Sequence, residues 1–259
     1  MKKFFYFFVL LSFLSSSLFA VNYIWNPTGG STSANTAGNW RKGTGACGNA
    51  VSTNVPGSND TITFTSTCSN ANCHINANFT VKLINVKSNY TDTVFVDAGK
   101  TLTFETASLL SGVFKCSDGA VTCNKSLTIN GMKFIAPSGT LTVAGNFSCI
   151  SAGFSNNNGS VVFKHGPIVG TRVITSTSNS VTLVFNNVKF DAPDSNFQVD
   201  VRNITMEIDS QLLLSGNRQL FINSSTSSVI NVKGNIESIN SNSVGGGTVT
   251  LVVNGTGTQ

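Results

Sequence analysis

Charged side chains are few: Asp, Glu, Lys and Arg together make up 10% of the 259 residues. Long solvated helices need charged or Ala-rich faces, so a chain this poor in charge is ill suited to them. There are only eleven carboxylates, two His and five Pro, and no window shows a clean helical period. A net charge of +5, falling to about +3 once Lys2 and Lys3 are set aside, offers no basic surface for nucleic acid or an anionic membrane.

Long apolar runs are also missing beyond the first residues. Lys2 and Lys3 precede an apolar stretch from Phe4 to Leu14 and a small-residue segment ending at Ala20. That stretch is much shorter than the ~20 residues a membrane-spanning helix needs. Residues 1–20 are therefore expected to be a secretory signal cleaved after Ala20, leaving no transmembrane segment. No Cys follows the cleavage point, which argues against a lipid anchor.

What the chain does have is Asn, Ser, Thr, Gly and Val in short alternating runs. TITF ends at Phe64, VKLINV starts at Val81, TLTF at Thr101, TLTV at Thr140, SVVF at Ser160 and VTLVF at Val181. A side-chain period of two with Thr, Val, Ile and Phe dominant reads as half-buried strands, so the fold class is all-β. Two architectures fit. In a right-handed parallel β-solenoid (β-helix), short strands stack coil on coil with Asn/Gly/Ser corners. In an antiparallel β-sandwich, or several, Asn130-Gly131, Asn158-Gly159 and Asn254-Gly255 would be hairpin turns. Strand brevity and the scarcity of Pro and charge favour the solenoid.

The stretch from Asn39 to Phe64 organises the start of the chain: an indole, a Gly-rich loop, a Val-Pro-Gly turn and an Asn-Asp pair lead into the first alternating run. The expected organisation is a cap and lead-in segment over 21–60 and solenoid repeats over 61–259. Trp25 and Trp40, the only two Trp, lie in the cap, either as a plug on the end of the β core or as a platform for stacking a sugar. A longer internal repeat sets Thr140–Asn146 and Gly159–Phe163 against Ile230–Asn235 and Gly247–Leu251. The final residues stop within a strand-like alternation, which suggests a piece of a longer protein.

Six Cys in an exported chain imply disulfides. The candidates are Cys47, Cys68, Cys73, Cys116, Cys123 and Cys149, and the local pairs Cys68–Cys73 and Cys116–Cys123 are favoured, with Cys47 and Cys149 paired together or left as thiols. Zinc is disfavoured because no CxxC occurs and His74 and His165 lie far apart.

Tyr23-Ile24-Trp25, Asn39-Trp40 and the run from Val55 to Phe64 resemble the leading module of bacterial secreted surface proteins of the autotransporter-passenger and adhesin-like kind. Asn89–Val94, Ala98–Thr103, Gly159–Phe163 and Phe185–Val188 are similar to the coils that follow. The resemblance implies a β-solenoid at the cell surface or secreted, and it carries no catalytic residues. The six Cys and the lack of a membrane barrel or sorting domain depart from that pattern.

Most carboxylates stand isolated, among them Asp60, Asp92, Asp97, Glu105, Asp118, Asp200, Asp209 and Glu237. Asp191 and Asp194 are the candidate acid cluster, and they carry the alternative of a carbohydrate-active β-helix enzyme, a polysaccharide hydrolase or lyase. Phe190-Asp-Ala-Pro-Asp194 is equally good turn chemistry. His165 has no Gly-x-Ser-x-Gly partner motif, and His74 reads as a loop residue. No Asp-bearing nonapeptides for calcium appear, and Gly245-Gly246-Gly247 precedes a strand rather than a helix. The expected function is that of a structural stalk or adhesin-like surface, without catalytic, cofactor or metal sites, whose partners are glycans or other cell-surface components.

Overall fold

The computed structural model describes residues 20–28, 30–44, 47, 50–150, 153–167, 170–176, 181–242 and 246–255. All but the last residue of the expected signal, Ala20, lies outside them. The chain is all-β and winds into a β-solenoid of about 8 turns. Every pairing between named strands is parallel except one, the antiparallel match of Asn22–Trp25 with Trp40–Lys42. That pattern excludes face-to-face sheets joined by hairpins.

Each coil contributes to three faces. Face A stacks Asn22–Trp25, Thr61–Phe64, 83–86, 106–109, 126–130, Asn146–Ile150, Arg172–Thr175, Phe197–Arg202 and Leu220–Asn223. Face B stacks 79–81, 101–104, 120–123, Thr140–Val143, Ser160–Lys164, 187–192, 211–216 and Asn235–Ser238. Face C begins with Cys73–Ile75, Thr93–Val96, Val113–Cys116, Lys133–Ile135 and Phe154–Ser155. It continues through 181–185, 204–208, Val229–Val232 and Thr250–Val253. The Asn156 side chain donates to Val184 O at 3.2 Å where the two parts of face C meet.

Long strands turn a corner without breaking, so that each serves two faces. Thr101–Leu109 runs from face B to face A and Val181–Ala192 from face C to face B, each with a register shift, at Phe104/Thr106 and Phe185/Asn187. One extra residue bends a strand without a loop. Other corners use Gly. At Gly131 the backbone has φ of +86°, and an added Cβ would come within 2.9 Å of Leu110 O in the coil before. Asn-Gly here is thus a solenoid corner and not a hairpin turn.

Alternation buries one row of every strand. Thr61–Phe64 shows the simplest case, with Ile62 and Phe64 buried and the two Thr outward. Inside, like stacks on like: Phe114, Phe134 and Phe154 form a ladder with centroids 5.5 and 6.1 Å apart and near-parallel rings. Burying each such ring is worth roughly 1.5–3 kcal/mol.

The N-terminal end is closed. Trp40–Lys42 covers the otherwise unpaired edge of Asn22–Trp25, and both indoles are 0% exposed, packed edge-on at 5.0 Å. Trp40 Nε1 donates to Ala34 O, while Trp25 Nε1 and the Tyr90 hydroxyl converge on Ala71 O. These rings plug the core, and no face is left for a sugar. Asp60 explains the Val-Pro-Gly-Ser-Asn-Asp run: its carboxylate accepts from Gly57 N at 2.7 Å, closing the turn, and from Val21 N at 2.9 Å, anchoring the first strand. At the other end Ile236, Ile239, Leu251, Val252 and Val253 are exposed.

The cysteines differ from the favoured local pairs. Cys47 is joined to Cys68, which ties the Gly-rich loop to the turn after Thr61–Phe64. Cys73, Cys116, Cys123 and Cys149 are buried thiols. Each occupies an inward position of a strand, so Cys73 and Cys116 point away from the loops in which their expected partners would have met them. His74 is likewise in a strand and not in a loop.

Candidate functional site

Because every coil repeats the same inward and outward parity, the outward residues of face A fall into straight rows. One row runs Thr63, Asn85, Ser108, Thr128, Ser148, Thr175 and Arg202. The next runs Thr106, Ser126, Asn146, Val173, Asp200 and Asn223. Neighbours in a row are one strand spacing apart, about 4.8 Å, and rows two residues apart flank one another. The face therefore presents hydroxyls and amides on a regular grid. Face B adds Thr80, Thr103, Thr122 and Thr142 in one row.

The first row ends in Arg202, and the second carries Asp200 beside it before closing on Asn223. There a cleft of about 340 Å³ is lined by Thr171, Gln198, Asp200, Arg202, Asn223 and Thr248, together with Ser224 and Ser225. Asp200 and Arg202 are two apart on Phe197–Arg202, so alternation puts both side chains outward and side by side. Asp200 Oδ2 accepts from Arg202 Nε at 2.8 Å and Nη2 at 2.7 Å, and Oδ1 accepts from Ser225 N at 2.9 Å. Although it is on the outer face, Asp200 is only 7% exposed. Burial pushes its carboxyl up, but the Arg202 and Ser225 hydrogen bonds outweigh that and hold it below the ordinary carboxylate value. The carboxylate stays ionised and fixed in place.

The rest of the wall divides into two kinds of group. Ser224 and Thr248 are bound to each other, Ser224 N donating to Thr248 Oγ1 at 3.0 Å and that hydroxyl donating back to Ser224 O at 3.1 Å. Gln198, Asn223 and Thr171 make no side-chain hydrogen bond among the described residues. Asn146, in the same row as Asn223, is instead committed to Val173 N at 3.0 Å.

The residues singled out from the sequence are not brought together. Asp191 directs its carboxylate to Ser215 Oγ at 2.6 Å and Lys189 Nζ at 3.5 Å, and Asp194 lies in the following turn with no hydrogen bond to it. His74 pairs its Nδ1 with Asp97 at 2.9 Å and stacks on Phe95, while His165 lies in the loop after Ser160–Lys164. Among the described residues no three His, Cys, Asp or Glu side chains gather to hold a metal ion, and no helix is long and apolar enough to cross a membrane. Gly245 lies outside the described residues.

Asp200 has no second carboxylate beside it among the residues lining the cleft, and its partner is a cation, Arg202. The signal that could have found it is Asp-Val-Arg within an alternating strand, a carboxylate and a guanidinium of one parity. Ser225 could not be found this way, because it arrives from the next coil.

Compared with known proteins, the chain matches no family model, no curated protein and no solved structure.

Proposed function

We propose that this chain is an exported, cell-surface β-solenoid that serves as a structural stalk and binds glycans or other surface components through face A, without chemistry. The observation that carries this reading is the in-register grid of Thr, Ser and Asn side chains on that face. Each group offers one weak polar contact. A ligand that repeats along a surface meets many at once, and tethering the contacts together raises avidity far above that of any single one. The near-neutral charge agrees with a partner rich in hydroxyls and poor in charge.

The test is retention of purified protein on immobilised polysaccharides and on cells as the density of immobilised glycan is varied. Retention that rises steeply with density is expected. Failure to bind any polysaccharide, or any cell surface, at any density would reject the adhesive role.

A further inference from the structure

We infer that the Asp200–Arg202 cleft is a discrete site for a single neutral sugar ring, set at the end of the polar rows of face A. This rests on the glycan-binding reading above for the class of ligand, but on separate residues and a separate geometry.

Four features of the cleft lead there. It is a shallow depression largely open to solvent, and its volume of about 340 Å³ lies at the small end of the roughly 300–1,000 Å³ found for ligand pockets. Its centre is an ionised carboxylate 7% exposed, held by two partners and so already oriented before any ligand arrives. Arg202 commits Nε and Nη2 to that carboxylate, its side chain is 43% exposed, and Nη1 makes no hydrogen bond among the described residues. Gln198, Asn223 and Thr171 add two amides and a hydroxyl that hold no side-chain hydrogen bond among the described residues. A wall built this way offers both donors and acceptors within a few ångströms, which is what a ring bearing several hydroxyls requires.

The charge balance selects among sugars. The Arg202 cation is matched by Asp200 at 2.7 Å, and among the described residues no other cation lines the cleft. An anionic ring, a uronate or a sulfated sugar, would meet the Asp200 carboxylate with no uncompensated positive charge to offset the repulsion. A neutral ring meets neither penalty. Phe221, in register with Gln198 on the following coil, is half-buried and does not line the cleft.

The experiment uses the full chain and a panel of probes: the methyl glycosides of glucose, galactose, mannose and N-acetylglucosamine, and free glucuronate. Saturation-transfer NMR and titration at millimolar concentrations read the affinity of wild type, of a Gln198→Ala/Asn223→Ala variant and of a Lys115→Ala control, Lys115 being exposed on face C and outside the proposed binding face. Among the described residues Gln198 and Asn223 hold no internal side-chain hydrogen bond, so their removal leaves the fold intact, which circular dichroism checks; Arg202→Ala would strand a buried carboxylate and is the less clean choice. At least one neutral glycoside is expected to bind, about tenfold more weakly to the double variant, as the loss of two hydrogen bonds implies, and unchanged to Lys115→Ala. The inference is overturned if no neutral glycoside binds, if the double variant binds as well as wild type, or if glucuronate binds more tightly than the neutral rings. Density-dependent retention on polysaccharide that survives in the double variant would leave the grid reading standing while the cleft fails. Loss of that retention from wild type, with soluble glycosides still bound, would do the reverse.

Discussion

Gly145 sits at the corner between Thr140–Val143 and Asn146–Ile150, directly over the coil before it. A Cβ placed there would lie 1.5 Å from Lys125 O and 2.4 Å from Lys125 C. The φ of Gly145 is not positive, so the argument is one of space and not of backbone freedom. Bringing the oxygen out to the 3.0 Å at which real contacts begin needs a shift of at least 1.5 Å, and the obstacle is backbone that cannot rotate away. Such a shift disturbs the pairing of Asn146–Ile150 with residues 126–130, where each lost hydrogen bond is worth about 0.5–1.5 kcal/mol net. Added to an overpacking cost of roughly 1–3 kcal/mol, the expected destabilisation by Gly145→Ala is about 3 kcal/mol or more. Gly38→Ala is the control, since its Cβ would meet nothing within 4 Å, and a change within about ±0.5 kcal/mol is expected. Urea unfolding followed by circular dichroism compares the two. Equal midpoints for Gly145→Ala and wild type would show that the coils are not in contact at this corner.

Four further outcomes follow from the same geometry. Native protein should leave the thiols of Cys73, Cys116, Cys123 and Cys149 unalkylated at pH 8 while urea releases all four, and alkylation of any in the native state would contradict their burial. Burial pushes Cys123 up to about 12 from an ordinary 9.0, so its contribution to stability is whole below pH 9 and is lost as pH rises from there through 12; alkaline melts of Cys123→Ala should show a smaller loss over that window. Asp200 works in the opposite direction: its depressed carboxyl adds stability above its ordinary value of 3.8 that disappears as pH falls below it, and Asp200→Asn should flatten that part of the acid melt. Trp40→Ala should cost about 3–5 kcal/mol, and acrylamide should barely quench wild-type fluorescence; strong quenching would return the indoles to the surface.

Strand content was legible because alternation is a local property: Thr61-Ile-Thr-Phe64 reads directly as outward and inward residues. The three-faced coil was not, because a bulge such as the one where Asp209 and Ser210 face the single Asn186 leaves no mark beyond one extra polar residue. The longer internal repeat shows how a correct likeness can carry the wrong phase. Gly145 and Gly234 do play the same part, each with a carbonyl of the previous coil within 1.7 Å of a notional Cβ, but one joins face B to face A and the other face C to face B. Strand, corner and strand look alike on every side, so matching them cannot tell which side is meant. In register the coil is shorter, 20 residues from Val121 to Leu141 and again from Leu141 to Val161.

The cysteines carried a readable signal that local proximity overrode. Cys73 alternates with His74 and Ile75, and Cys123 with Thr122 and Val121, which places both thiols among the inward positions. Cys47 and Cys68 lie outside any alternating run, and they are the two that meet. The cleft was half legible: the parity of Asp200 and Arg202 could be read along one strand, whereas Thr171, Asn223 and Ser225 come from neighbouring coils whose lengths vary.

Strands that lie across the axis, with their hydrogen bonds running along it, determine how the molecule carries a load. Tension along the axis acts on these bonds one coil at a time, so they peel in succession; they do not shear together. A coil of 20 residues frees about 60–70 Å of chain in exchange for about 5 Å of stacked height. Pulled from its ends, the molecule should lengthen in many small steps and absorb work at each of them, like a coiled tether and unlike a rigid strut.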